Sequence, residues 1–132
     1  MDAEQLRSFL DARRYCVLAT VNSQPHPVAR PVAFTVIGAS FWFATVAGGR
    51  LRNLERTPWA SIVVSDGDGD GDGDGDGDGD EHREHRAVAA DGPATITRHP
   101  SPELVAVWEA RHGSGAEWAA AWFEIRPTRL IS

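Results

Sequence analysis

Residues 41–65 read FWFATVAGGRLRNLERTPWASIVVS, and the order of residue types in this stretch sets the architecture. Residues 41–46 are an aromatic and β-branched run and residues 60–65 a second, so both read as strands. Between them Gly48-Gly49 allows a tight turn, a short helix carries Arg50, Arg52 and Arg56, and Pro58 stops it. Leu51 and Leu54, three apart, can point inward while Arg50 stands at the helix start. A helix N-terminus with free N–H groups, behind a glycine turn and with an arginine on its first turn, attracts a phosphate. No other stretch carries so sharp a chemical signal.

Upstream, Asp2 with Gln5 three residues on forms a capping box. Leu6, Phe9 and Leu10 give the helix it opens an apolar stripe, and Arg13-Arg14 suit the C-terminal end. Residues 15–21 are strand-like and Asn22-Ser23-Gln24-Pro25 reads as a hairpin turn. Residues 27–37 then alternate as one strand, with Val28, Arg30, Val32, Phe34 and Val36 on one face. An arginine among apolar neighbours needs a carboxylate, a rim to snorkel to, or a bound phosphate. Pro31 cannot donate to a ladder and marks an edge or a bulge.

Downstream, residues 86–90 resume a strand that Asp91-Gly92-Pro93 kinks into residues 94–98. Ser101 caps a helix with Pro102 at its first position, Leu104, Val105, Val107 and Trp108 supply its apolar surface, and Gly113 closes it. Residues 119–126 read as a final strand running past Pro127 to Ile131. Strands joined mainly by short turns predict a mainly β domain, an antiparallel barrel with peripheral helices rather than a doubly wound sheet.

Composition narrows the function. The 132 residues make one domain, and the single Cys16, in an apolar run, reads as a small buried hydrophobe. The formal charge of −6 is dominated by eight aspartates of the run DGDGDGDGDGDGDGD at residues 66–80, without which eleven acidic residues face thirteen arginines. That run has no apolar residue and repels itself, so residues 66–81 are expected to be a disordered hairpin loop. Asp70, Asp72, Asp74, Gly75, Asp76, Asp78 and Glu81 match calcium-loop spacing, as a dense Asp-Gly repeat does by construction. His82 and His85 read as part of a solvated charge cluster, and no metal site is expected. No basic stripe with interleaved aromatics points to nucleic acid, no segment has membrane-spanning length or the form of a secretory signal, and a cytoplasmic location is expected. Nucleophile elbow, CxxC, Walker loop and GxGxxG are all absent.

The chain resembles a known family. Ala29-Arg30-Pro31-Val32, Phe41-Trp42-Phe43-Ala44-Thr45, Gly49-Arg50-Leu51-Arg52-Asn53-Leu54, Pro58 and the Asp91-Gly92-Pro93-Ala94 bend stand in the order seen in the pyridoxamine 5′-phosphate oxidase-like, FMN-binding split β-barrel proteins, including their deazaflavin (coenzyme F420)-dependent branch. The resemblance runs from Leu6 to the last strand and implies a six- to seven-stranded antiparallel split barrel. It also implies an oxidoreductase acting on a small organic molecule, with FMN or F420 bound at a homodimer interface. By the same resemblance Arg30 and Arg50 contact the cofactor phosphate, helped by Thr45 and Gly49. Pro31, Val32 and Ala33 lie along the ring, Arg52 and Asn53 continue the helix motif, and Arg86 opens the fifth strand of the site. Charge-assisted bonds from arginine forks and helix N–H groups suit a phosphate.

Three departures narrow the resemblance: Gly49 replaces the common Ser, Ala87 stands where vitamin B6 oxidases carry a glutamine, and residues 122–132 lack those enzymes' C-terminal substrate segment. A short reductase is implied rather than a vitamin B6 oxidase. The run from Arg52 to Pro58 favours F420, Arg30 followed by Val32 favours FMN, and no catalytic side chain stands out. A non-enzymatic carrier of the cofactor, or a haem-binding variant, is the alternative on the same fold. The five tryptophans are expected partly at the dimer interface or the cofactor cleft.

Overall fold

Phe34 divides what the alternation predicts as a single strand. The computed structural model describes residues 1–66 and 86–132. In it β1 (Tyr15–Val21) and β2 (Pro27–Ala33) form a hairpin, and β3 (Thr35–Ile37) leaves at an angle to pair with β4 (Ser40–Thr45). Phe34 itself is completely buried, 5.8 Å from the Phe41 ring, and its burial at the bend sets the change of direction. Within β2 the alternation holds, with Val28, Arg30 and Val32 opposite Thr20, Leu18 and Cys16, but the strand ends at Phe34 and Arg30 is exposed instead of enclosed among its apolar neighbours. Asn22 shapes the hairpin turn, its side-chain oxygen accepting from the N–H groups of Gln24 and His26.

The remaining elements are α1 (Ala3–Asp11), α2 (Gly49–Arg56), β5 (Trp59–Ser65), β6 (Ala87–Thr97), α3 (Pro102–His112), β7 (Ala121–Ile125) and β8 (Arg129–Ile131). The sheet runs β2-β1-β5-β6-β7-β4-β3, every pair antiparallel, with β8 beside β6. Its two ends, β2 and β3, are separated by one residue, so the path curls back on itself as a split β-barrel. The eight strands exceed the expected six or seven because bends at Phe34 and Pro127 each split one strand in two. Pro31 lies on an edge strand, where its missing N–H costs nothing.

β6 is shared by two halves of the barrel: residues up to Pro93 pair with β5, and Ala94 onward pairs with β7. Gly92 makes the crossing possible. A Cβ placed there would lie 2.3 Å from the Arg126 carbonyl oxygen, so only glycine lets the β7–β8 connection close over β6. The chain turns at Pro127, and the Thr128 N–H donates to the Asp91 carbonyl. The last strand consequently leaves β7 and joins β6 instead of continuing straight on.

Inside, Phe43 and Phe123 are cross-strand partners with rings stacked 4.7 Å apart, and Leu18, Leu54, Ile62, Val64, Val88 and Ile125 fill the space around them. Each such side chain contributes about 1.5–3 kcal/mol by leaving water. A second cluster packs α3 on the outside of the other half, where Trp108 meets Trp122 edge-on at 5.2 Å. These two tryptophans are thus core residues; Trp59 and Trp118 are exposed.

The capping box of α1 and the Ser101 cap of α3 are present as expected, and Gly113 ends α3 in the left-handed region at φ 89°. The end of α1 differs. No basic residue lies in its last turn; Arg13 sits beyond it, stacked on the Phe9 ring at 4.4 Å. Arg111 of α3 supplies the side-chain donors there, to the carbonyls of Leu10, Asp11 and Arg13, and donates also to Phe34.

The neighbouring His112 hydrogen-bonds the same Phe34 carbonyl at 2.9 Å. Burial holds its imidazole below the ordinary histidine value; the Phe34 bond opposes this, and the charges of Arg111 and Arg14 add to it. Because the folded value is the lower, the unfolded chain takes up the proton first, from about pH 6.5. Stability owed to neutral His112 is thus complete above that pH and is lost as the pH falls through it. Thermal melts from pH 7.5 to 5 should show wild type losing more stability than His112→Gln; equal losses would remove this role.

Among the described residues no helix packs on the outward face of β2, β1, β5, β6 and β8. Pro31, Val17, Val63, Ala89 and Ile131 are successive cross-strand partners there and form one apolar row across five strands. Val17, Val63 and Ile131 are 43, 42 and 53 % exposed, and Tyr15 lies in the adjoining row at 65 %. The expected Asp-Gly loop, its calcium-like spacing and the His82–His85 cluster lie outside the described residues, Asp66 excepted.

Candidate functional site

The site grows from three adjacent elements. On β1, Cys16, Leu18 and Thr20 alternate with exposed or half-buried residues and point to the side on which α2 packs. Across the hairpin, Cys16 faces Val32 and Leu18 faces Arg30, so Arg30 and Val32 project to that same side. Leu51 and Leu54 bury the inner face of α2. That anchoring brings Arg50, at the start of the helix, over Cys16 and close enough to Arg30 for the two positive charges to repel.

Two cations held together without an anion are a demand for one. Arg50 is half-buried and forms no hydrogen bond or ion pair among the described residues, while Arg30 makes only a local bond to the Ala29 carbonyl. Burial lowers the Arg50 pKa, the charge of Arg30 lowers it further, and Cys16 acts in the opposite direction. The helix start adds to the positive field. Gly48 caps α2 without a side chain, and Arg52 is the first residue whose N–H reaches back to the Gly48 carbonyl. The N–H groups of Gly49, Arg50 and Leu51 precede the helical ladder and remain for a ligand. The space where a Gly49 Cβ would stand is open, with only the Arg52 guanidinium at 4.0 Å. An anion can therefore approach the backbone there.

Cys16 forms the floor. Burial pushes its thiol up to about 12, with Arg50 pulling the other way, so it is a neutral wall and not a nucleophile at ordinary pH. Spacing alone did not single it out as part of the site, although its period-two placement with Leu18 and Thr20 carried the information.

The other expected site residues are placed as follows. Val32 packs on the main core and Ala33 on the α3 cluster, at the end of β2. Pro31 belongs to the outward apolar row, on the opposite face from Arg30. Thr45 is buried at the end of β4, its hydroxyl donating to the Val46 carbonyl at 3.1 Å. Arg52 is exposed on α2. Asn53 is turned inward, its amide donating to the Thr20 hydroxyl at 3.1 Å. Arg86 lies with α1: its N–H donates to Asp66, and its guanidinium is 3.6 Å from the same carboxylate and 5.2 Å from the Phe9 ring. That backbone bond, with the charges of Arg86 and Arg13, holds the Asp66 carboxyl below its usual range. The structure thus brings together Arg30, Val32, Arg50 and the helix start, and ties Asn53 and Arg86 to other partners. Among the described residues no group of three or more His, Cys, Asp or Glu could hold a metal ion. Nor, among these residues, is any helix long and apolar enough to cross a membrane.

Comparison with known proteins bears on the fold and the family. No curated protein matches by sequence. Solved structures with the same fold include the conserved hypothetical protein Rv2991 of Mycobacterium tuberculosis, with a TM-score of 0.75 and 23 % identity over 98 % of this chain and 82 % of that one. A FAD-binding protein of Mesorhizobium loti has a TM-score of 0.73 and 18 % identity, covering 98 % of this chain and 90 % of its own. HutZ, the haem storage protein of Vibrio cholerae, has a TM-score of 0.69 and 20 % identity, covering 98 % and 92 %. The sequence profile of the pyridoxamine 5′-phosphate oxidase family matches residues 3–132. With nearly its whole length matched and the split barrel in place, the chain belongs to the pyridoxamine 5′-phosphate oxidase family.

Proposed function

We propose that this protein is an oxidoreductase that binds a flavin-type cofactor, FMN or coenzyme F420, by its phosphate, and passes hydride between that cofactor and a small organic molecule. The observation that carries the reading is the Arg30–Arg50 pair, two neighbouring guanidiniums without a counter-ion among the described residues, beside an uncapped helix start. Guanidinium forks and free N–H groups are the donor set a phosphate takes. The bound group would supply the redox chemistry. The chain's own part is to hold the phosphate with Arg30, Arg50 and the N–H groups of residues 49–51, and to set Val32 and Ala33 beside the ring. Thr45, Asn53 and Arg86 bond to Val46, Thr20 and Asp66, and no part in holding the phosphate is assigned to them.

The partner in this proposal is a second copy of the chain. The row from Pro31 to Ile131 leaves an uncovered apolar sheet face, and contiguous exposed apolar surface of that kind marks an interface. β2 carries both Pro31 of that row and Arg30 of the phosphate site, so a partner seated there would lie beside the cofactor.

One observation favours a second reading, a carrier without turnover. Cys16, the titratable group seated beneath Arg50, stays protonated, so no acid or base is poised there. The haem storage role named for HutZ gives that reading a further possible cargo. The visible spectrum of the purified protein, with sedimentation to find its mass, separates these cases. A flavin or deazaflavin band on a dimer is the expected result. A Soret band would replace the flavin by haem, and a monomer without affinity for either flavin would overturn the proposal.

A further inference from the structure

We propose that the buried hydrogen bond between Asn53 and Thr20 is what aims the phosphate site, by fixing how α2 sits along β1. The inference rests on the reading that Arg50 holds a cofactor phosphate. Asn53 is 8 % exposed and Thr20 4 %, and the amide donates to the hydroxyl at 3.1 Å. Arg50 and Asn53 are three residues apart and share one face of the helix; Cys16 and Thr20 are four apart and share one face of the strand. The same helix face therefore meets the same strand face at two points, Asn53 on Thr20 and Arg50 beside Cys16.

Only the first of those points is directional. Leu51 and Leu54 anchor α2 by apolar packing, which tolerates small slides and rotations. The helix start offers no restraint either, because Gly48 provides no side-chain cap. A buried amide is a costly way to fill space, since its oxygen receives only a long 3.5 Å contact from Arg56. An aliphatic pair would fill that space as well, so the polar pair contributes registration rather than burial. With the bond broken, α2 can shift by a fraction of a turn, and a phosphate held by Arg50 and three N–H groups at once is sensitive to such a shift.

The test is a double-mutant cycle read by FMN binding in solution, using Thr20→Val, Thr20→Ser, Arg50→Ala and the pair Thr20→Val with Arg50→Ala. Thr20→Val should weaken FMN about tenfold, whereas Thr20→Ser, which keeps the hydroxyl, should stay within about twofold of wild type. In the Arg50→Ala background the valine should add clearly less than its own tenfold, because only the N–H groups of the helix start are then left to aim. Should Thr20→Val fail to fold, Asn53→Ala removes the bond from the helix side and should give the same loss. Weakening by Arg50→Ala with unchanged affinity in Thr20→Val, or losses that multiply in the double variant, would overturn the inference and leave the phosphate reading intact. Unchanged affinity in Arg50→Ala alone would remove the phosphate reading and this inference with it.

Discussion

Gly92→Ala is expected to be the most damaging single methyl group in the chain, lowering stability by about 3 kcal/mol, the upper end of what overpacking costs. The added carbon would lie 2.3 Å from the Arg126 carbonyl oxygen and 3.0 Å from the Pro127 Cα, both backbone atoms that cannot swing aside. Relief requires the β7–β8 connection to lift off β6. That movement would stretch the bonds from the Arg126 N–H to Pro93 and from the Thr128 N–H to Asp91. It would also loosen the pairing of β8 with β6. For a domain of this size the melting temperature should fall by roughly 10 °C. Gly49→Ala is the control: its Cβ would find only the flexible tip of Arg52 at 4.0 Å, so its melting temperature should stay near that of wild type. Similar losses in the two variants would mean that the bend in β6 does not depend on that close approach.

Arg50→Ala is expected to leave the fold intact and weaken the flavin-type cofactor by about 1.5–3 kcal/mol, roughly ten- to 150-fold in dissociation constant. The guanidinium makes no hydrogen bond or ion pair among the described residues, so its removal breaks no internal contact of that kind. It also removes a half-buried charge whose protonation the protein disfavours, through burial and through Arg30. The unliganded protein should therefore melt no lower than wild type. Weaker binding at undiminished stability is what separates a ligand-holding arginine from a structural one. Arg111 is the contrast: its donors serve four carbonyls across α1 and the Phe34 bend, and its loss should be felt in stability first. Equal cofactor affinity in Arg50→Ala and wild type, measured by calorimetric titration, would remove Arg50 from the site.

Much of this arrangement was legible in the sequence, for local reasons. The Gly-Gly turn, the leucine spacing and Pro58 define α2 by short-range rules. The caps at Asp2, Ser101 and Gly113, and the bend at Gly92, are equally local, and the structure contains each of them. What the sequence misplaced depends on long-range packing. Alternation over residues 27–37 gave no sign that Phe34 would be drawn into the core and turn the chain there. The side-chain donors to the carbonyls at the end of α1 come not from Arg13 or Arg14 nearby but from Arg111, about a hundred residues away in the chain. The motif that carries Asn53 likewise gave no sign that its amide donates to Thr20 across the helix–strand contact. Arg30 is the mixed case. Its strand and its proximity to Arg50 follow from the hairpin register, but it reaches solvent because β2 is an edge strand.

The central claim is that Arg30, Arg50 and the start of α2 hold a cofactor phosphate, and pairing each cofactor with its phosphate-free form tests it most directly. Titration of the purified protein with FMN and riboflavin, and with F420 and the deazaflavin lacking the phosphate arm, measures the phosphate contribution alone. At least one phosphorylated cofactor should bind ten or more times tighter than its partner, by about 1.4 kcal/mol or more, with an advantage that shrinks in Arg50→Ala. Equal affinity within both pairs, or an advantage untouched by Arg50→Ala, would contradict the account.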